Sequence, residues 1–221
     1  MNFRIFAGAA ASVALLASTA AAQVCQGDLS FRSGRPHVGG ALGISDHTTT
    51  YGGGMNFGHT TGVYGGGSLG LATYDQVSGN AFVLGGGIGY QMPLAQRSAW
   101  QLCPGATLTL GFGPSQDVGG TSVHNSTQTF TLGASTGRVL PLNKSVTLLP
   151  FGSVALGHTT LSSSANGVSA SVSDTYLMLG FGAGVQLSPS VVLRPALTFN
   201  LNNDYVDGTL FSFGVTFALP R

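Results

Sequence analysis

Most of the chain repeats one pattern, an extended run in which every second residue is apolar. Residues 208–219 (GTLFSFGVTFAL) carry it most plainly: Phe211, Phe213, Val215, Phe217 and Leu219 alternate with Ser212, Gly214, Thr216 and Ala218. A period of two sends alternate side chains to opposite faces of a strand. One face here is wholly apolar and the other is small and mostly polar, so the strand divides two different environments. Ten segments read this way: 36–45, 49–57, 62–73, 80–92, 100–113, 127–140, 145–158, 175–187, 191–201 and 208–219. Each is close to the ~9–11 residues that cross a bilayer at a tilt.

The same parity assigns the other apolar faces. Tyr51, Met55 and Phe57 share one in the second segment, and Phe82, Leu84, Ile88 and Tyr90 in the fourth. Trp100, Leu108 and Phe112 share the fifth, while Phe130 and Phe199 fall on the apolar side of the sixth and ninth. Opposite these stand mainly Gly, Ser, Thr, Ala and Asn, poor material for a dry core and suitable for a narrow wet lumen. Connections at 59–61, 93–99, 141–144 and 188–190 are compact. Those at 114–126 and 159–174 are long, rich in Ser, Gly and Asn, and expected to be irregular loops. Barrels in outer membranes combine short periplasmic turns with longer outer loops. Asp46, Asp75, Asp117, Asp174, Asp204 and Asp207 all fall on the long-loop side, whereas Arg97, Arg138, Lys144 and Arg194 fall at or near the other. The pattern predicts an all-β fold: a closed antiparallel transmembrane barrel of ten strands, both termini periplasmic, with eight strands as the alternative.

Two features strain the pattern. Pro104, Pro150 and Pro195 stand at equivalent heights in three strands, and proline cannot donate to a ladder; bulges are expected there. Glycine runs at 52–54, 65–67 and 85–87 point to curvature, or to a wall against which an N-terminal segment tucks.

Composition narrows the reading. Mean hydropathy is +0.30 and only 7% of residues are charged, against roughly 25% in soluble domains. Beyond the N-terminus no apolar stretch approaches the ~20 residues of a spanning helix. A closed sheet is then the remaining way to satisfy the backbone inside a bilayer. The N-terminus reads as an export signal, cleaved after residue 22: Arg4, an apolar run over 5–16, then Ala20-Ala21-Ala22. Domain organisation follows as signal peptide 1–22, periplasmic leader 23–35 and barrel 36–221. Of eight basic residues Arg4 leaves with the signal, so seven face seven acids, all Asp; this balance supplies no basic patch for nucleic acid.

An export signal, alternating strands and a Phe-rich last strand make the chain resemble the small outer-membrane β-barrels of the OmpA/OmpX type. The resemblance rests on pattern and covers most of the mature chain. It implies outer-membrane lipid, periplasmic chaperones and the barrel-insertion machinery as partners, with Phe217 as the aromatic read at insertion, although 218–221 follow it.

Candidate chemistry is sparse. Cys25 and Cys103 enter an oxidising compartment, where pairing is the default; Cys103 faces the lumen by parity, and a bridge to Cys25 constrains the unfolded chain by about 4 kcal/mol. Arg194 also points inward, and Asp28 is the acid placed to meet it and hold the leader as a plug; a hydrated Arg194 is the alternative. The lipid-facing aromatics are Trp100, Phe112, Phe130, Phe199, Phe211, Phe213 and Phe217. Residues 65–70 match G-x-G-x-x-G, but the strand alternation continues and no helix follows to meet a phosphate. His47, His59, His124 and His158 are not at metal-ligand spacing, and no nucleophile–base pair is legible. No cofactor, metal or catalytic residue is assigned. The expected role is structural or surface-interacting, with a narrow solute channel as runner-up and a lipid hydrolase or soluble secreted β protein behind it.

Overall fold

The computed structural model describes residues 24–28, 30, 32, 34–75, 77–94, 100–118, 121–143, 145–202 and 207–220. The signal segment, Arg97, Lys144 and Asp204 lie outside the described residues. Ten strands close an antiparallel ring: β1 (His37–Ser45), β2 (Thr48–Gly58), β3 (Val63–Tyr74), β4 (Val77–Tyr90), β5 (Trp100–Phe112), β6 (Thr121–Arg138), β7 (Thr147–Ala165), β8 (Val168–Ser188), β9 (Val191–Leu201) and β10 (Thr209–Ala218). Each pairs with its chain neighbours, and β1 pairs with β10 over its whole length, from His37↔Ala218 to Ser45↔Leu210. The eight-stranded alternative is thereby excluded.

Closure leaves no sheet edge in the ring, which is what hydrocarbon surroundings require. The two parities sort as the alternation dictates. Outside stand Phe57, Leu69, Ile88, Leu132, Leu156 and Phe181, all at least half exposed. Aromatic residues mark both limits of this apolar band, the pattern of interface girdles. Phe57, Tyr90, Trp100 and Phe217 lie at the end that holds His37 and Ala218, and Tyr51, Phe82, Phe112 and Phe211 toward the other. Phe199 stacks on Phe181 with centroids 5.7 Å apart. Arg138 shares the outer parity and lies opposite Trp100 in the ladder.

Three expectations are corrected. First, the prolines make no bulges. The β4–β5 ladder keeps one register from Gly89↔Gly105 to Met92↔Leu102 and merely lapses at Cys103 and Pro104. The same happens at Pro150, between Phe151↔Gly137 and Leu148↔Leu140. At Pro195 the β8–β9 pairing lapses between Gly182↔Ala196 and Val185↔Leu193. A missing N–H deletes a bond without inserting a residue, so the wall opens locally while the register survives. The short strands Met92–Pro93 and Leu140–Pro141 are ring strands resuming beyond such gaps.

Second, 159–174 is no irregular loop. β7 and β8 run on in register to Ala165↔Val168 around Asn166-Gly167, whose φ values of 50° and 78° are those of a tight hairpin turn. β6 extends beside them to Val123↔Ala165, and Gln116–Val118 pairs on its far side. Together they form an arm of sheet standing beyond the ring. Ser and Thr alternate there with little apolar contrast, so the strand signal is weak.

Third, the lumen is not lined by small residues alone. Tyr64, Val83, Leu149, Tyr176, Val192 and Leu210 point inward and are almost fully buried. Two glycines outside the runs accommodate one of them: a Cβ at Gly89 would stand 2.7 Å from Tyr64 Cε1, and one at Gly105 3.2 Å from its hydroxyl.

Candidate functional site

The lumen at the terminal end is occupied by the chain's own N-terminal segment. Val24–Gln26 form one turn of 3-10 helix packed against β5, β6, β7 and β8. Cys25 is wholly buried and sits in a disulfide arrangement with Cys103 of β5, Cα atoms 6.0 Å apart and 78 positions apart in sequence. Cys103 falls in the lapse beside Pro104, so the wall residue that meets the leader sits where the ladder opens. The next contact repeats this logic. Gly27, at φ 75°, lies so close to Gly184 that a Cβ on either would collide with the other's backbone. Gly184 lies opposite Arg194, inside the lapse at Pro195. The leader's helical turn therefore seats chiefly against β5–β8 and not the glycine runs of β2–β4.

From there the segment crosses the bore. Asp28 is fully buried and its charge acts favourably on Arg194. Arg194, 9% exposed, points a guanidinium nitrogen at Gln26 O (3.5 Å) and reaches across to Gly214. His37, at the start of β1, is buried in the same electrostatic neighbourhood as Asp28 and Arg35. On the far wall Ser30 Oγ donates to Gln91 Oε1 at 3.2 Å, and Arg32 Nη2 approaches Thr61 O at 3.5 Å. Sequence parity assigned Cys103 and Arg194 to the lumen. It missed His37, Gln91 and Gly184, whose roles depend on which wall the leader meets.

A buried hydroxyl cluster lies on one wall toward the arm. Thr129 Oγ1 and Thr159 Oγ1 are 2.8 Å apart, and Thr159 Oγ1 is 3.2 Å from Tyr176 Oη; all three residues are at most 1% exposed. Tyr176 and Met178 pack with Ala155 and Leu161 around this cluster. Ala72, Ala81 and Val83, with Tyr74, form a similar cluster on β3 and β4. Between the leader and the hydroxyl cluster lies a cavity of about 120 Å³ bordered by Gln26, Tyr64, Arg194 and the hydroxyls of Thr131 and Ser135. Those hydroxyls are buried without a protein partner, the usual setting of internal water.

At the arm-end rim, Asp207 folds inward. Its carboxylate accepts from Ser45 Oγ, and its carbonyl accepts from Asn200 Nδ2 at 2.8 Å. Burial pushes this carboxyl above its usual 3.8, against the pull of the Ser45 bond and of His47. Elsewhere on this end Ser115 Oγ and His124 Nδ1 meet at 2.9 Å, and His158 Nδ1 meets Thr175 Oγ1 at 2.8 Å. Among the described residues no three His, Cys, Asp or Glu side chains group as metal ligands.

A closed antiparallel barrel is the architecture that the comparisons also return. The family model for the outer membrane protein beta-barrel domain matches residues 8–218. The chain belongs to that family. Its place is accordingly the bacterial outer membrane. No curated protein sequence matches. Among solved structures, the translocator domain of the autotransporter NalP from Neisseria meningitidis is similar at TM-score 0.53 and 12% identity, covering 94% of this chain and 93% of that one. Ail, the attachment invasion locus protein of Yersinia pestis, gives 0.46 and 15%, covering 84% and 97%. The outer membrane protease OmpT of Escherichia coli gives 0.42 and 10%, covering 84% and 94%. At such identities the likeness is one of fold, and this fold serves unrelated roles.

Proposed function

We propose that this barrel is a closed, monomeric structural and surface-interaction protein of the outer membrane, not an enzyme, with the arm end outward and both termini periplasmic. The observation that carries the reading is the filled lumen: the leader, held through Cys25–Cys103 and beside Arg194, occupies one end, and the buried Thr129, Thr159 and Tyr176 side chains take up space along one wall toward the other. A bore occupied by the chain's own leader narrows the path open to solutes, which leaves the exposed arm as the part that meets the surroundings. Orientation is supported by the connections. The strands run furthest beyond the ring at the end that also holds Asp46, Asp75 and Asp207, while His37 and Ala218 lie at the other. A signal peptide removed after residue 22 and insertion through periplasmic chaperones and the barrel-insertion machinery complete the reading.

Single-channel recording in planar bilayers tests it. The oxidised protein is expected to give no steady current steps; steady steps from it would overturn the closed-barrel reading. The narrow channel is the second reading, favoured by the orphaned lumenal hydroxyls of Ser68, Thr109, Thr131 and Ser135. The Ser115–His124 contact is the nearest approach to a nucleophile and base, yet both side chains are exposed. Catalytic nucleophiles need a base oriented by a third group; turnover of outer-membrane lipid esters that Ser115→Ala abolishes would contradict the non-enzymatic reading.

A further inference from the structure

We propose that the cleft at the base of the arm binds the neutral sugar rings of an outer-leaflet glycolipid, an inference that rests on the arm end facing outward. The cleft measures about 660 Å³ and is bordered by Phe112 and Pro114, by His124, Asn125 and Ser126 of β6, and by the serines at 162 and 164 of β7.

Its position follows from register. On the membrane-facing parity of β6 and β7 the cross-strand pairs climb from Leu132↔Leu156 through Phe130↔His158 and Gln128↔Thr160 to Ser126↔Ser162 and His124↔Ser164. The face that meets hydrocarbon below thus turns wholly polar above Phe130 without changing direction. Phe112, level with Ser126 on the adjoining strand, sets an aromatic ring at the cleft's base. Phe112 belongs to the aromatic girdle that marks the outer limit of the apolar band, so the cleft opens at the height of the headgroup layer, where the sugars of a glycolipid lie.

The lining decides the chemistry. No Lys or Arg occurs between Arg97 and Arg138 or between Lys144 and Arg194, so the arm carries no permanent cation. Phosphate and sulfate recognition relies on such cations. Hydroxyls, an amide and imidazole beside an aromatic ring suit a neutral polyol, whose C–H face covers the ring while its hydroxyls exchange hydrogen bonds. The frame is built in advance: Asn125 Nδ2 donates to Pro114 O at 3.1 Å and Ser163 Oγ to Asn125 Oδ1 at 2.7 Å. The Ser126, Ser162 and Ser164 hydroxyls then serve the ligand.

The test uses the folded, full-length protein in three kinds of vesicle: phospholipid alone, phospholipid with lipopolysaccharide carrying its core hexoses, and phospholipid with the same lipid truncated before them. Amide exchange over 121–128 and 158–170 is expected to slow about tenfold, equivalent to ~1.4 kcal/mol, only with the hexose-bearing lipid. Ser126→Trp, which fills the cleft, should abolish that slowing. Ser162→Ala, too small a change to disturb the sheet, should weaken it. Equal exchange in all three vesicles overturns the proposal, as does slowing by the truncated lipid, which would assign the effect to phosphate or acyl chains. Ser171→Cys, labelled on intact cells by an impermeant maleimide, tests orientation separately. An unlabelled arm overturns the outward reading, whereas a labelled arm without protection overturns the sugar site alone.

Discussion

Glycine at position 184 lets the leader lie flat against the wall, because a side chain there would occupy the space of the Gly27 carbonyl. Overpacking of this kind costs about 1–3 kcal/mol, and the leader is the element with room to move. Gly184→Ala is therefore expected to speed tryptic cleavage after Arg32 while leaving the barrel folded; unchanged cleavage would show that the contact does not seat the leader. Asp207 makes a pH prediction. Its folded carboxyl is raised above 3.8 by burial, so the folded state holds the proton more tightly than the unfolded chain. Its contribution to stability is largest at low pH and falls as pH rises from about 4 through the raised value. Thermal unfolding in detergent should show Tm declining across that window in the native protein, and a flatter profile in Asp207→Asn. Tyr176→Phe removes the 3.2 Å bond to Thr159 and should cost about 0.5–1.5 kcal/mol, read from denaturant midpoints.

At the scale of elements, the leader and the arm owe their form to different physics. The leader turn of three residues has little local stability and depends on its anchor. Closing 78 positions through Cys25–Cys103 constrains the unfolded chain by about 4 kcal/mol. Cys25→Ser should lower unfolding stability by that order and raise trypsin access at Arg32, whereas Ser30→Ala should do neither appreciably. The arm instead relies on its turn. Gly167 at φ 78° occupies the left-handed region, where a side chain costs roughly 1–2 kcal/mol. Gly167→Ala should fray the outer ends of β7 and β8, seen as faster amide exchange confined to 160–173, with the ring unaffected.

For the whole molecule, the closed ring predicts resistance to detergent. The unheated protein should migrate faster than the boiled protein on a denaturing gel, since the barrel has no edge at which unfolding can start. Strand parity was legible because hydrocarbon and lumen demand opposite residues, so Phe211, Phe213 and Phe217 against Ser212, Gly214 and Thr216 leave a strong contrast. Above the membrane that contrast vanishes: Ser169, Ser171 and Ser173 alternate with Ala170 and Val172 only faintly, and the arm reads as loop. The Asn166-Gly167 turn was the one local signal that announced it.

The alternation of two environments, written residue by residue, determined the all-β barrel, the faces of its strands and the presence of Cys103 and Arg194 in the bore. Those are local properties of an extended chain. Where the leader rests, which ladder bonds the prolines delete, and how Phe112, Asn125, Ser126 and Ser162 come to border one cleft depend on pairing between segments far apart in sequence. Such pairings are settled only when the ring closes and every strand acquires its two neighbours.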